Sequence, residues 1–336
     1  MGLSAHLIGR TTEDAVIRWK EGELSLEDLL DAWQAPLEKV FPTKTAQTPE
    51  GNIPSSVFEN TDFGRPAIQV AKPRVFIPVF PGTNCEYDTA RAFEKAGAIA
   101  KTQVVANMSV SMLEASIEKM VEEIQSSQII MIPGGFSAGD EPDGSGKFIA
   151  AVFRNPKVKE AVMDLLKNRD GLMLGICNGF QALVKLGLVP YGEIRDLDEE
   201  SPTLTYNAIG RHVSCMVQTK IVSNRSPWLW GTKPGDVYTI PVSHGEGRFI
   251  APKEQLQALF ENGQVATQYV DFAGNPTYDI RFNPNGSMMA IEGITSPDGR
   301  VFGKMGHSER IGAGVFQNIP GEKDQKIFAS GVAYFK

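Results

Sequence analysis

From Arg74 onward, short apolar runs alternate with stretches whose apolar residues recur at helical spacing. The runs Val75 to Phe80, Gln103 to Ala106, Gln128 to Ile132 and Gly171 to Ile176 predict strands. Thr89 to Ala96, Met112 to Ile124, segments between Lys147 and Lys167, and Asn178 to Leu186 predict helices. Such alternation means an α/β fold, an open, mostly parallel sheet with helices on both faces. After Gly187 the pattern changes to strands and turns. Strands are expected at His212 to Val222, Val237 to Val242, Gln264 to Val270 and Met288 to Ile294, where they extend the sheet and wall a pocket. Ligands of such sheets bind outside the carboxyl ends of the strands, which is where Gly135, Cys177 and His307 would all arrive.

Ahead of this domain (74–336) the pattern is thin. Residues 1–41 form a small N-terminal extension, with a strand-like patch from Ala15 to Trp19 and a turn at Glu21-Gly22. A helix follows, begun by Ser25 as N-cap with Asp28 in its first turn. Residues 42–73 are richer in Pro, Thr, Ser, Asn and Gly, lack sustained periodicity, and read as a linker.

Gly175-Ile-Cys-Asn-Gly-Phe-Gln181 carries the sharpest chemical signal, because it sets one thiol at the tip of a strand-to-helix turn. Gly175 and Gly179 let strand and helix approach at such an elbow without a Cβ clash. The Cys177 thiol would stand exposed at a helix N-terminus, where the dipole and free N–H groups favour an anionic sulfur and an oxyanion. Near the C-terminus, His307 and Glu309 offer a base and a carboxylate two residues apart. On an extended segment they share a face, so Glu309 can hold the His307 imidazole in one tautomer while His307 reaches the thiol. Ile129-Ile-Met-Ile-Pro-Gly-Gly-Phe-Ser137 is a strand running into a Gly-Gly turn, which can aim the Gly135 N–H at the same centre beside that of Asn178.

Other residues have blander readings. Cys85 has no adjacent base in sequence and reads as packing. His244 reads as a hydrogen-bonded loop histidine, and His6 and His212 as non-functional. Asp140, Glu141 and Asp143 lack the terminal glutamate of a calcium loop and read as a solvated acidic turn, so no metal site is expected. Gly144-Ser-Gly-Lys147 lacks the spacing of a phosphate-binding loop, since Glu141 holds the first glycine position and Phe148 follows the lysine.

Pro133-Gly-Gly-Phe-Ser-Ala-Gly-Asp140, the Cys177 elbow, Ser243-His-Gly-Glu-Gly-Arg-Phe249 and His307-Ser-Glu309 occur in the order seen in triad (class I) glutamine amidotransferases. With Phe80-Pro-Gly-Thr-Asn-Cys-Glu-Tyr-Asp-Thr-Ala90, the stretch from Arg74 to Lys336 resembles the glutaminase part of the phosphoribosylformylglycinamidine synthase family. The resemblance implies a class I amidotransferase-like, flavodoxin-like fold and a Cys177–His307–Glu309 triad with an oxyanion hole at Gly135 and Asn178. It further implies that Gln181 contacts the substrate and that the backbone around Ser243, Gly245 and Glu246 holds the amino-acid end of L-glutamine. Ammonia would pass to a synthetase part, the partner to which ATP and Mg belong, so no cofactor is expected in this chain. Residues Ile8 to Arg18 and the helix from Leu24 to Trp33 are similar to the tail of that synthetase part, which implies a C-terminal piece of a longer polypeptide. Serine at 308 is a departure, since proline is more usual there. Two alternatives stay open: another cysteine hydrolase on the same elbow, and a non-catalytic docking domain. The first typically takes its histidine from just after the elbow cysteine, where Asn178 stands.

Composition narrows the setting. With 336 residues, 42% hydrophobic and 22% charged, the chain reads as a globular protein with room for a large core. A net charge of -7 argues against a nucleic-acid partner. Three cysteines without a C-x-x-C pair suit a reducing compartment, and no run approaches a membrane span, so a cytoplasmic site is expected.

Overall fold

The computed structural model describes residues 2, 4–45, 51–55, 57–60, 64–137 and 146–336. The chain divides into two units, residues 1–45 and 46–336. In the first, β1 (Val16–Trp19) and β2 (Gly22–Ser25) form an antiparallel hairpin. Helix α1 (Leu26–Gln34) starts at Ser25, whose hydroxyl accepts the N–H groups of Glu27 and Asp28 at 3.1 and 3.2 Å. The hydroxyl thereby satisfies donors that a helix start leaves without partners.

The second unit begins with β3 (Arg74–Val79), α2 (Glu86–Lys95), β4 (Ile99–Val104), α3 (Val110–Ser126) and β5 (Ile129–Ile132). There follow α4 (Lys147–Phe153), α5 (Pro156–Asn168), β6 (Leu172–Ile176), α6 (Asn178–Leu186) and a short kinked α7 (Leu188–Tyr191). The chain continues through β7 (Thr203–Tyr206), β8 (Val213–Ile221), β9 (Val237–His244), β10 (Glu246–Ile250), α8 (Lys253–Glu261) and β11 (Val265–Val270). It ends with β12 (Ile291–Thr295), β13 (Val301–Lys304) and α9 (Ile327–Ala333).

Nine strands form one sheet in the order β4-β3-β5-β6-β13-β12-β11-β8-β9. Neighbours from β4 through β13 are parallel, and those from β13 through β9 are antiparallel. The expected α/β class and helical cover are therefore present, with the parallel part carrying the candidate site. Helix α3 packs on α5 and α2 on α9, on the opposite faces that right-handed crossovers require. Double cover explains why β5 and β6 are apolar throughout: every residue of both is buried. Separately, β7 and β10 pair as an antiparallel ribbon.

The last strand in sequence, β13, inserts between β6 and β12, with Val301 opposite Met173 and Lys304 opposite Ile176. In the same register Ile132 of β5 lies opposite Gly175. The chain leaving β5, β6 and β13 therefore emerges side by side, which brings Gly134, Cys177 and His307 to one edge.

Some expected boundaries move. Met288 to Ala290 form a 3₁₀ turn with Met289 at φ +51°, and the strand begins at Ile291. Part of the stretch read as a linker is packed: Phe58 N–H donates to the Val222 carbonyl at 2.8 Å and Val70 N–H to that of Phe335 at 2.7 Å. Asp140, Glu141, Asp143, Gly144 and Ser145 lie outside the described residues. Among the described residues, no helix is long and apolar enough to cross a membrane.

Candidate active site

Cys177 occupies the turn between β6 and α6 at φ +52° and ψ −107°, a conformation that an L-residue adopts only when its surroundings impose it. Its N–H is held by the Lys304 carbonyl at 2.8 Å, and its carbonyl accepts the Gln181 N–H at 3.0 Å. The glycines serve close approach: a Cβ on Gly179 would sit 2.0 Å from the Ile132 carbonyl oxygen, and one on Gly175 2.7 Å from the Gly179 backbone. Only 4% of Cys177 is exposed, which corrects the expectation of an open thiol. The residue sits at the elbow beyond the strand, but the end of β9 covers it, with the Ser243 carbonyl 3.7 Å from Sγ.

His307 and Glu309 meet as expected. Nδ1 of His307 lies 2.6 Å from Oε1 of Glu309, and both residues are buried. The imidazole also stands beside the Cys177 elbow, His307 Cε1 and Cys177 Cβ both flanking Gly134. Burial alone pulls its pKa down, yet the Glu309 carboxylate, reinforced by the thiol contacts, outweighs this and holds His307 well above its ordinary value. Burial likewise raises Glu309, but the His307 charge and hydrogen bond leave its pKa below the usual carboxylate value. His244 is the contrast. Burial, with the charges of His307 and His212, depresses it to about 3, so it is neutral at physiological pH, with Nδ1 held by Asn207 Oδ1 at 3.0 Å.

Cys85 was expected to lack a base, and this is corrected. Its Sγ lies 3.8 Å from His307 Nδ1 and accepts from Arg310 Nη2 at 3.0 Å. The end of β3 leads into this loop, so strand order brings Cys85 behind the imidazole. Ligand atoms of Cys85, His307 and Glu309 fall within 4.8 Å of one another, a spacing that a metal ion could use. Two of these ligand atoms are already engaged, the sulfur by the Arg310 guanidinium and Nδ1 by the Glu309 carboxylate.

Among the other candidate residues, Ser243 and Gln181 bond Cys177 directly, through its thiol and its carbonyl. Gly135 takes φ +152° and pairs in an isolated bridge with Thr83. Asn178 opens α6, and its buried side chain accepts the Ser137 N–H at 3.3 Å and donates to Gln181 Oε1 at 2.9 Å. Gln181 is buried rather than solvated, and its Nε2 donates to the Glu246 carbonyl at 2.7 Å. Gly245 accepts the Asn207 N–H at 2.9 Å. Ser243 Oγ lies 3.0 Å from His212 Nε2, a contact missed when His212 was read as non-functional. Pairing the two strands expected at His212 to Val222 and Val237 to Val242 as a hairpin would have exposed it, since Ser214 lies opposite Ser243.

Gly134 packs against the imidazole itself. A Cβ there would lie 2.7 Å from His307 Cε1 and 3.1 Å from Cys85 Sγ. Gly134→Ala is therefore expected to displace the imidazole and lower any turnover that depends on it by about 10²-fold, the scale of an ångström misplacement. Steady-state rates together with a thermal unfolding curve check this; unchanged turnover would show that the imidazole is free to shift.

Residues 72–335 match the family described as the CobB/CobQ-like glutamine amidotransferase domain. The phosphoribosylformylglycinamidine synthase subunit PurQ of Methanococcus maripaludis strain C7 is 39% identical over 242 residues, 71% of this chain and 82% of that protein. Its namesake from Aquifex aeolicus is 32% identical over 69% of this chain and 88% of that protein. A solved structure described as PurLQS from Thermotoga maritima matches with a TM-score of 0.57 and 27% identity, covering 79% of this chain and all of that one. The chain therefore belongs to the CobB/CobQ-like glutamine amidotransferase family, alongside the PurQ subunits of phosphoribosylformylglycinamidine synthase.

Proposed function

We propose that this chain is the glutaminase component of phosphoribosylformylglycinamidine synthase, releasing ammonia from L-glutamine through a Cys177 thioester. The observation that carries the reading is the buried His307–Glu309 pair at 2.6 Å, whose imidazole shares the space beside Gly134 with a cysteine on a strained elbow. Because Glu309 engages Nδ1, Nε2 is the nitrogen that exchanges a proton with Cys177. The thiol proton passes to His307, and sulfur attacks the side-chain carbonyl carbon of glutamine. The N–H groups of Gly135 and Asn178 hold the resulting oxyanion. As that intermediate collapses, the C–N bond breaks and ammonia leaves with the proton from His307. Neutral His307 then takes a proton from water, hydroxide adds to the thioester, and the C–S bond breaks to give glutamate and the restored thiol. Ser243, Gly245 and Glu246 hold the amino-acid end of the substrate, and Gln181 braces this wall through the Glu246 carbonyl. Incubation with glutamine should yield equal glutamate and ammonia, and a trapped adduct on Cys177. Glutamine binding without hydrolysis would favour a docking domain instead.

The released ammonia is proposed to serve an ATP-dependent synthetase partner that converts formylglycinamide ribonucleotide to its amidine, in keeping with the synthase for which the PurQ relatives are named. Glutamate formation is expected to rise on the order of 10-fold when that partner is present with ATP and formylglycinamide ribonucleotide. Rates with the chain alone, with apo synthetase and with the loaded synthetase decide this. Equal rates in all three would exclude coupling.

A further inference from the structure

The turn that carries His307 is gripped from both sides by buried polar groups that never touch the thiol. Ser308, 3% exposed, donates its hydroxyl to Gln325 Oε1 at 2.6 Å and accepts from Lys304 Nζ at 3.1 Å. Lys304 also donates to the Gly306 carbonyl at 2.8 Å and pairs with Glu292 Oε1 at 3.1 Å, both side chains fully buried. Oε1 of Glu292 in turn accepts the Gly306 N–H at 2.6 Å, and Oε2 accepts the Thr267 hydroxyl at 2.5 Å. Gln325 Nε2 completes the chain on Thr219 Oγ1 at 3.0 Å. Both backbone groups of Gly306 and the side chain of Ser308 are thus fixed, on either side of His307, to β8, β11, β12 and β13.

Stability does not account for this arrangement. Burying an ammonium and a carboxylate costs several kcal/mol per ion, and apolar replacements of similar volume are often neutral or stabilising. What the ions do deliver is directional: Lys304 and Glu292 together fix the Gly306 N–H and carbonyl and the Ser308 hydroxyl. Apolar packing cannot set the angle of a peptide plane so closely. At 308, where proline would restrict the backbone through its ring, a hydroxyl bridge restrains it instead.

We propose that Ser308 and Lys304 are positioning residues for the reaction proposed above, holding the Gly306–Ser308 turn so that His307 spans Glu309 and Cys177. Resting on that glutaminase reading, the inference has a test with a readout independent of it. Ser308→Ala should lower kcat by about 10-fold to 100-fold while KM stays within about twofold, since misplacement of a reacting group acts on the chemical step. Ser308→Thr, which keeps the hydroxyl, should restore most of the rate. Combining Ser308→Ala with Glu309→Gln should cost less than the product of the single losses, because both act through one imidazole. The proton in the 2.6 Å His307–Glu309 hydrogen bond, sought far downfield by NMR, should shift or broaden in Ser308→Ala and return in Ser308→Thr. An unmoved downfield proton with full kcat in Ser308→Ala would overturn the clamp, as would losses that multiply independently. Wild-type protein that releases no ammonia would sink the glutaminase reading alone, and the downfield proton would still decide the clamp.

Discussion

Cys177→Ser is expected to abolish ammonia release from glutamine, a loss of several orders of magnitude, whereas Cys85→Ser keeps most of the activity. Both thiols lie near His307, so proximity does not separate them. Geometry does. Cys85 faces Nδ1 at 3.8 Å, and that nitrogen is already engaged by Glu309 at 2.6 Å. Cys177 alone combines the imidazole with the start of α6, whose first N–H groups have no helical acceptor. A serine hydroxyl there surrenders its proton far less readily than a thiol, so the attack slows while substrate contacts remain. Steady-state ammonia assays on both variants, with trapping of the acyl-enzyme, supply the measurement. Equal losses would mean that Cys85 takes part in the chemistry.

Glu309→Gln is expected to lower turnover by a factor on the order of 10² to 10⁴, as when an imidazole loses its orienting carboxylate, while glutamine still binds. The pH profile should move as well. In the wild-type chain the carboxylate is what lifts His307 against the downward pull of burial. With a neutral amide at 309 burial prevails, and the pKa of His307 falls. Any limb of the kcat/KM profile that reports His307 should therefore shift to lower pH in the variant. Turnover measured across pH, alongside equilibrium binding of glutamine, tests both parts. An unchanged rate with an unmoved profile would leave His307 without support as the base.

The parallel part of the sheet was legible because β3, β5 and β6 are continuous apolar runs and their intervening helices have clear periodicity. Other elements hid for local reasons. Helix α8 buries only Leu256 and Leu259, too thin a stripe to stand out, and α9 contains Ser330-Gly331, which dilutes its helical signal. Strand β10 overlaps the Ser243 to Phe249 motif, which reads as a binding loop. At the site, Cys177, His307 and Glu309 could be read from residue type and spacing. The setting of Cys85 could not, since it depends on strand order. Nor could the Lys304–Glu292 pair be found, because charged residues in a strand ordinarily mark a solvated face, and here both are fully buried.

The placement of β13 also has a consequence for how the protein is made. This strand belongs between β6 and β12, yet it follows both in the chain, and the turn bearing His307 follows it directly. On the ribosome, β6 and the Cys177 elbow emerge long before the strand that completes their edge. Pairing β13 with β6 closes a long loop, a step that makes folding slow and leaves the interior open in the meantime. An unfinished chain can hold Cys177 but not His307. The elbow and the His307–Glu309 pair therefore come together only once β13 has been translated and inserted.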